Sequence, residues 1–189
     1  MKKLFLIAAI AITGATVNAQ ENTLLLGGNA SYTTEKSEFG GAETKTDSFE
    51  FSPTVGYQFN SHWTVGVQSS FASVKTEAND SVSYEGNQMS IGGFIRYAKP
   101  LGELFAVYGD LGAGYQSAKN KTADTKADGF YVGFTPALFV NFKNGFGLNF
   151  NIGGVRYETL DWDGGSDNSR FNINFGKEVG IGISKNFKL

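Results

Sequence analysis

The 189-residue chain has no cysteine, a single histidine and three prolines. Without cysteine there can be no disulfide and no thiol chemistry. A lipid-anchored bacterial lipoprotein, which needs a cysteine after its signal peptide, is excluded as well. With His62 as the sole histidine, no His/Cys metal-ligand spacing exists. After residue 20 no apolar run approaches the roughly 20 residues of a membrane-spanning helix. Nor does any segment there hold the i, i+3, i+4, i+7 apolar pattern of an amphipathic helix. If the chain lives in a membrane, it does so as a closed barrel of strands. Net charge is small and acidic. Removing Lys2 and Lys3 leaves 14 basic against 18 acidic residues, a balance of −4, which argues against nucleic acid as a partner.

The N-terminus reads MKKLFLIAAIAITGATVNAQ. Lys2 and Lys3 form a charged region, residues 4–12 an apolar run, and Val17-Asn18-Ala19 a small-residue cleavage site. Residues 1–19 are therefore expected to be a cleaved secretory signal peptide, leaving one domain over 20–189.

What the chain has in abundance is glycine, with 25 residues, and aromatics, with 17 Phe, 8 Tyr and 2 Trp. They are ordered with a period of two. In the stretch DSFEFSPTVGYQF from Asp47, the residues Phe49, Phe51, Pro53, Val55, Tyr57 and Phe59 alternate with Ser48, Glu50, Ser52, Thr54, Gly56 and Gln58. That pattern is a strand with one greasy and one polar face. It recurs eight times, at about 23–34, 47–59, 63–74, 87–98, 104–118, 129–142, 146–159 and from 170 to the end. Lys177 interrupts the last strand, so a bulge is expected near Gly176. Pro53 and Pro136 each remove a ladder donor, and local bulges are expected there too. The connections alternate in length. Short turns lie at 60–62, 99–103 and 143–145, the last containing Asn144-Gly145, a strong hairpin signal. Long polar stretches lie at 35–46, 75–86, 119–128 and 160–169. Short turns on one side and long loops on the other mark a transmembrane barrel.

Volume decides which face meets water. The interior of an eight-stranded barrel is just wide enough for side chains to fill. The bulky apolar face cannot fit inside, whereas the polar face is rich in glycine, for example Gly56, Gly66, Gly92, Gly114 and Gly182. Aromatics also gather beside the short turns: Tyr57, Phe59, Trp63, Tyr97, Phe105, Phe142, Phe146 and Phe187. That is the placement of an interfacial girdle. The expected fold is all-β: an eight-stranded antiparallel up-and-down transmembrane β-barrel with its greasy face in lipid and a lumen filled by side chains.

With the signal peptide, eight alternating strands, the Asn144-Gly145 turn and the terminal VGIGISKNFKL, the chain resembles the small OmpA/OmpX-like eight-stranded outer-membrane barrels. The resemblance implies residence in the outer membrane of a Gram-negative bacterium, contact with its lipid and lipopolysaccharide, and folding by the barrel-assembly machinery. Many such proteins end on an aromatic that this machinery reads; here Phe187 is in phase and the last residue is Leu189.

Chemistry is sparse. His62 falls in a short turn with no evident serine and carboxylate partners, so no enzyme is expected. The lumen phase holds Glu50, Arg96, Asp110 and Glu178, with Tyr108 and Tyr131. Charges in a narrow lumen must be paired, so an Arg96-centred network with Glu50 or Asp110 is expected. Asp161, Asp163 and Asp167 flank a Gly-Gly turn and form a weak Ca²⁺ candidate without the terminal bidentate Glu of the known loop; otherwise no metal and no cofactor is expected. The function expected is a structural or surface-interaction role for a monomer, with an extracellular partner met by the loops. The alternatives are a small ion or solute channel and a soluble lipocalin-like periplasmic binder with the greasy face inside.

Overall fold

The computed structural model describes residues 22–79 and 81–189, and the side chains of these except at 166, 177 and 178. The expected signal peptide lies outside the described residues. Eight strands follow in order: β1 (Thr23–Phe39), β2 (Ala42–Gln58), β3 (Trp63–Ala78), β4 (Ser81–Pro100), β5 (Phe105–Asn120), β6 (Thr125–Lys143), β7 (Phe146–Trp162) and β8 (Ser166–Lys188). Each pairs antiparallel with the next, and β1 pairs with β8 to close the barrel.

The alternation of the sequence resolves as the volume argument requires. Phe49, Phe51, Val55, Tyr57, Val67, Ile91, Leu111, Phe130, Ile173 and Ile181 are all exposed on the outer wall. Glycine fills the inner phase where a ring needs room. A Cβ on Gly66 would sit 2.7 Å from the Phe94 ring and one on Gly56 3.2 Å from it. The apolar outer face removes the soluble lipocalin-like alternative, because a water-filled surround would meet that entire wall.

The short turns are set by local chemistry. Asn60 Oδ1 accepts hydrogen bonds from the backbone N–H of His62 and Trp63, both at 2.8 Å, a side chain mimicking a backbone turn. Asn144 and Gly145 both have positive φ, 54° and 73°, as a hairpin turn matching the sheet twist requires. At the opposite end the expected long loops are not loops. The strands run on past the apolar band and close in tight turns, at Gly40-Gly41 for example. Polar alternation kept the ladder going after the greasy residues ran out, so the polar stretches are hairpin extensions.

Irregularities fall at specific places. Beside Pro53 no bulge forms: the β2–β3 ladder skips two pairs and resumes in step, Phe51 with Phe71 and Thr54 with Gln68. The missing donor costs pairs without shifting the chain. Near Pro136 the β6–β7 register does shift, between Phe134 and Ala137, with the extra residue in β7. Facing it, the β7–β8 register breaks between Asn151 and Gly153, whose partners are Gly180 and Phe175. Residues 176–179 of β8 thus bulge opposite Ile152, and Gly176 at φ 75° makes the bend. The closing seam is the shortest ladder: β1 and β8 pair over six positions, Thr23–Gly28 with Lys188–Ile183.

Candidate functional site

Among the described residues, the lumen holds two polar layers and a carboxylate, Glu50, outside both. In the lower layer, near the short turns, Arg96 on β4 and Asp110 on β5 are register partners. Arg96 donates from Nε to Asp110 Oδ1 at 2.7 Å and from Nη2 to Oδ2 at 2.8 Å. This is the bidentate geometry in which arginine binds carboxylate most strongly. Their side chains keep only 13% and 16% exposure. The guanidinium lies 3.8 Å from the centroid of the Tyr108 ring. Tyr108 donates its hydroxyl to Asn149 Oδ1 at 3.0 Å, and Asn149 Nδ2 donates to Ser184 Oγ at 2.9 Å. The chain of contacts crosses the barrel from β4 and β5 to β7 and β8. Buried Leu25 and Phe94 pack in the same region of the lumen.

The upper layer is centred on Arg156. Its Nε donates to Glu158 Oε2 at 2.8 Å and its Nη2 to Gln116 Oε1 at 3.1 Å. Its guanidinium lies 4.3 Å from the Tyr131 ring centroid. Gln116, fully buried, donates to the Thr159 carbonyl at 3.0 Å. Arg170 reaches Glu158 only at 4.0 Å. Between the layers lies a cavity of about 530 Å³, lined by Arg96 and Asp110 of the lower layer, Arg156 and Glu158 of the upper one, and Glu50. The lumen is therefore less completely filled than the sequence suggests.

The expected four-charge network is divided. Arg96 and Asp110 meet. Glu50 does not join them: its Oε1 accepts from Ser52 Oγ at 2.8 Å and Ser70 Oγ at 2.9 Å, and no ion pair to it is found among the described residues. Across the ladders Glu50 is level with Ala72 and Gln88, and Arg96 stands eight residues farther along β4, so register holds the two charges at different heights of the lumen. The Glu178 side chain lies outside the described residues. Sequence reading missed Arg156 and Glu158, because counting in twos from Phe146, Leu148, Phe150 and Ile152 puts both on the lipid side. The extra residue of β7 reverses the phase, and the signal for it was Gly153-Gly154. A Cβ on Gly153 would lie 1.9 Å from the Asn174 carbonyl oxygen, and its φ is 96°.

On the outer wall Tyr57, Phe59, Trp63, Tyr97, Phe105 and Phe142 are exposed beside the short turns, while Phe146 and Phe187 are half-buried there. Trp63 meets Tyr97 edge to face at 5.0 Å, and His62 stacks on Tyr97 at 5.7 Å. His62 Nδ1 bonds Ser61 Oγ at 2.8 Å, and among the described residues no carboxylate is found bonded to it. A second aromatic row, including Tyr32, Phe49, Phe71, Tyr115 and Phe130, crosses the wall higher up. One outward position above it the surface turns ionic, at Asp47, Lys75 and Glu85, which are partners across β2, β3 and β4. Lys45 pairs with Asp47 at 2.7 Å, Lys75 with Glu77 at 2.5 Å and Lys121 with Glu85 at 2.6 Å. The hydrogen bond from Lys45, with help from Thr34 and Tyr32, lowers the Asp47 carboxyl to about 2. Lys121 likewise lowers Glu85.

The candidate Ca²⁺ ligands share one hairpin but do not form a metal-binding group. Asp161 and Asp167 are partners across the β7–β8 hairpin, Asp163 is in its turn, and no group of acidic, His or Cys residues among the described ones could hold a metal. Because β7 runs on to Trp162, the remaining turn is too short to wrap an ion.

A model of the family described as "Outer membrane protein beta-barrel domain" matches residues 5–187. No curated protein matches the chain in sequence. Among solved structures it is similar to the outer membrane protein OprG from Pseudomonas aeruginosa, at 16% identity and TM-score 0.55 over 93% of this chain and 100% of that one. Less similar are the translocator domain of the autotransporter NalP from Neisseria meningitidis, at 18% identity and TM-score 0.42 over 97% and 66%, and Ail from Yersinia pestis, at 16% and 0.38 over 88% and 100%.

Proposed function

Since the chain belongs to the outer membrane protein beta-barrel family and its place is the outer membrane of a Gram-negative bacterium, we propose that it anchors there and presents its hairpin extensions at the cell surface. The role is structural or adhesive, and the barrel is not an open pore. The observation that carries this reading is the division of the outer wall. Two aromatic rows bound an apolar band, and beyond the upper row the same strands carry paired charges. The band suits the roughly 9–11 residues that a tilted strand needs to cross. The eight aromatics beside the short turns then form the periplasmic girdle. Insertion follows signal-peptide cleavage after Ala19 and handling by the assembly machinery, and the barrel works as a monomer among lipid and lipopolysaccharide. The ionic crown is the contact surface for an extracellular partner. Inside, the Arg96–Asp110 layer bars the lumen, and among the described residues it holds no nucleophile–base pair of the kind catalysis uses.

The test is limited proteolysis of intact cells. Trypsin added outside should cut at the crown, at Lys36 or Lys121, and leave the short turns intact. Cleavage next to Lys99 or Lys143, with the crown untouched, would reverse the orientation and remove the surface role.

A further inference from the structure

At about 530 Å³ the lumen cavity has the size of a ligand pocket, roughly 300–1,000 Å³, but its lining is polar where such pockets are mostly apolar. Its floor is the lower layer, where Tyr108, Asn149 and Ser184 are buried. Its other end opens toward the crown, because Gln88, Arg170 and Asn172 line it and are exposed. The cavity is therefore a blind vestibule, and a solute that enters from the crown is held there.

Fixed charge in the lining cancels. Arg96, Arg156 and Arg170 stand against Glu50, Asp110 and Glu158. Arg96 and Arg156 are already held by carboxylates of the wall, and Glu50 by two serine hydroxyls. A ligand of either net charge would meet repulsion as well as attraction. The neutral groups are a different matter. Six side-chain amides line the cavity. Gln68 bonds Tyr131, and Asn149 bonds Tyr108 and Ser184. Asn29, Gln88, Asn151 and Asn172 make no side-chain hydrogen bond to any described residue. These four come from β1, β4, β7 and β8, so they meet the space from several sides. Each offers donors and an acceptor together, and so does a hydroxyl. We propose that the vestibule binds a small neutral sugar, a mono- or disaccharide, whose hydroxyls pair with these four amides. The site lies wholly in the lumen and stands whichever partner the crown meets.

The experiment is saturation-transfer NMR on the barrel in a polyoxyethylene detergent, which carries no sugar. Maltose, zwitterionic glycine and the tartrate dianion are added in separate samples at equal concentration. Folding is checked first by the gel shift on heating. Saturating the protein methyl groups should label the anomeric proton of maltose and leave glycine and tartrate unlabelled. Asn29→Leu, which removes an amide at nearly constant volume, and, separately, Ala72→Trp, which fills the cavity from β3, should each lower the maltose signal about fivefold or more. Silence from maltose makes water the occupant and overturns the proposal. Equal labelling of glycine or tartrate, or an unchanged maltose signal in either folded variant, overturns it as well.

Discussion

The two polar layers of the lumen use the same chemistry, an arginine on a carboxylate with a tyrosine ring against it, but they are built differently. The lower pair joins adjacent strands, Arg96 from β4 to Asp110 from β5, with both partners nearly buried. The upper pair joins positions two apart on one strand, and Arg156 keeps 41% exposure beside an open cavity. A bond across a ladder ties two strands together and fills the bore. An ion pair within one strand leaves its charge half-solvated, and the upper layer is tied across the lumen by the neutral acceptor Gln116 of β5 rather than by a carboxylate. Both layers face the same cavity, but the lower one is the more buried and the more strongly paired, and it is the seal in the function proposed above.

Arg96→Ala should produce the largest effect. It strands the Asp110 carboxylate in a buried site, where removing one partner costs about 3–5 kcal/mol. The urea midpoint of the folded barrel should fall accordingly, and Asp110→Asn in the same chain should recover part of the loss. If Arg96→Ala and Arg156→Ala cost the same, the contrast between the layers is gone.

Gly153→Val comes next. Its φ of 96° and the nearby Asn174 carbonyl leave no room for a side chain, so a loss of about 2–3 kcal/mol is expected. The damage should be local to the upper layer, read as faster hydrogen exchange of the amides around Arg156 while those around Arg96 keep their protection. Equal loosening of both layers would show that the bulge does not belong to the upper one alone.

Arg156→Ala should cost about 1 kcal/mol or less, because a partly solvated pair is worth little. The smallest effect is outside the band. The Asp47 carboxyl is lowered to about 2 by Lys45, below its unfolded value near 3.9. Its contribution is therefore present above about pH 4 and lost as pH falls through about 2. An NMR titration should give a midpoint near 2, moving up in Lys45→Gln. An unmoved midpoint would deny the pairing.

The same contrast separates what could be read in the sequence from what could not. A period of two carries Arg96 and Asp110 to the inner face because β4 and β5 pair without a register break. Strand phase is a running count, however, and one extra residue reverses everything after it. That is why Arg156 and Glu158 counted as lipid-facing. Gly153-Gly154 was visible, but glycine also fills the inner phase of this barrel, so its role as a bulge was masked by its neighbours. The division of Glu50 from Arg96 was hidden for another reason: phase says which face a residue takes, and says nothing of the height at which register sets it. The crown was mistaken for loops because polarity was read as the end of a strand, whereas outside the membrane a ladder needs no greasy face.

The most direct test of the sealed lumen is planar-bilayer conductance of the refolded protein beside Arg96→Ala and Arg156→Ala, each confirmed folded by its heat shift. The native barrel and Arg156→Ala should be silent while Arg96→Ala leaks. Steady conductance by the native protein, or a leak from Arg156→Ala alone, would contradict the account.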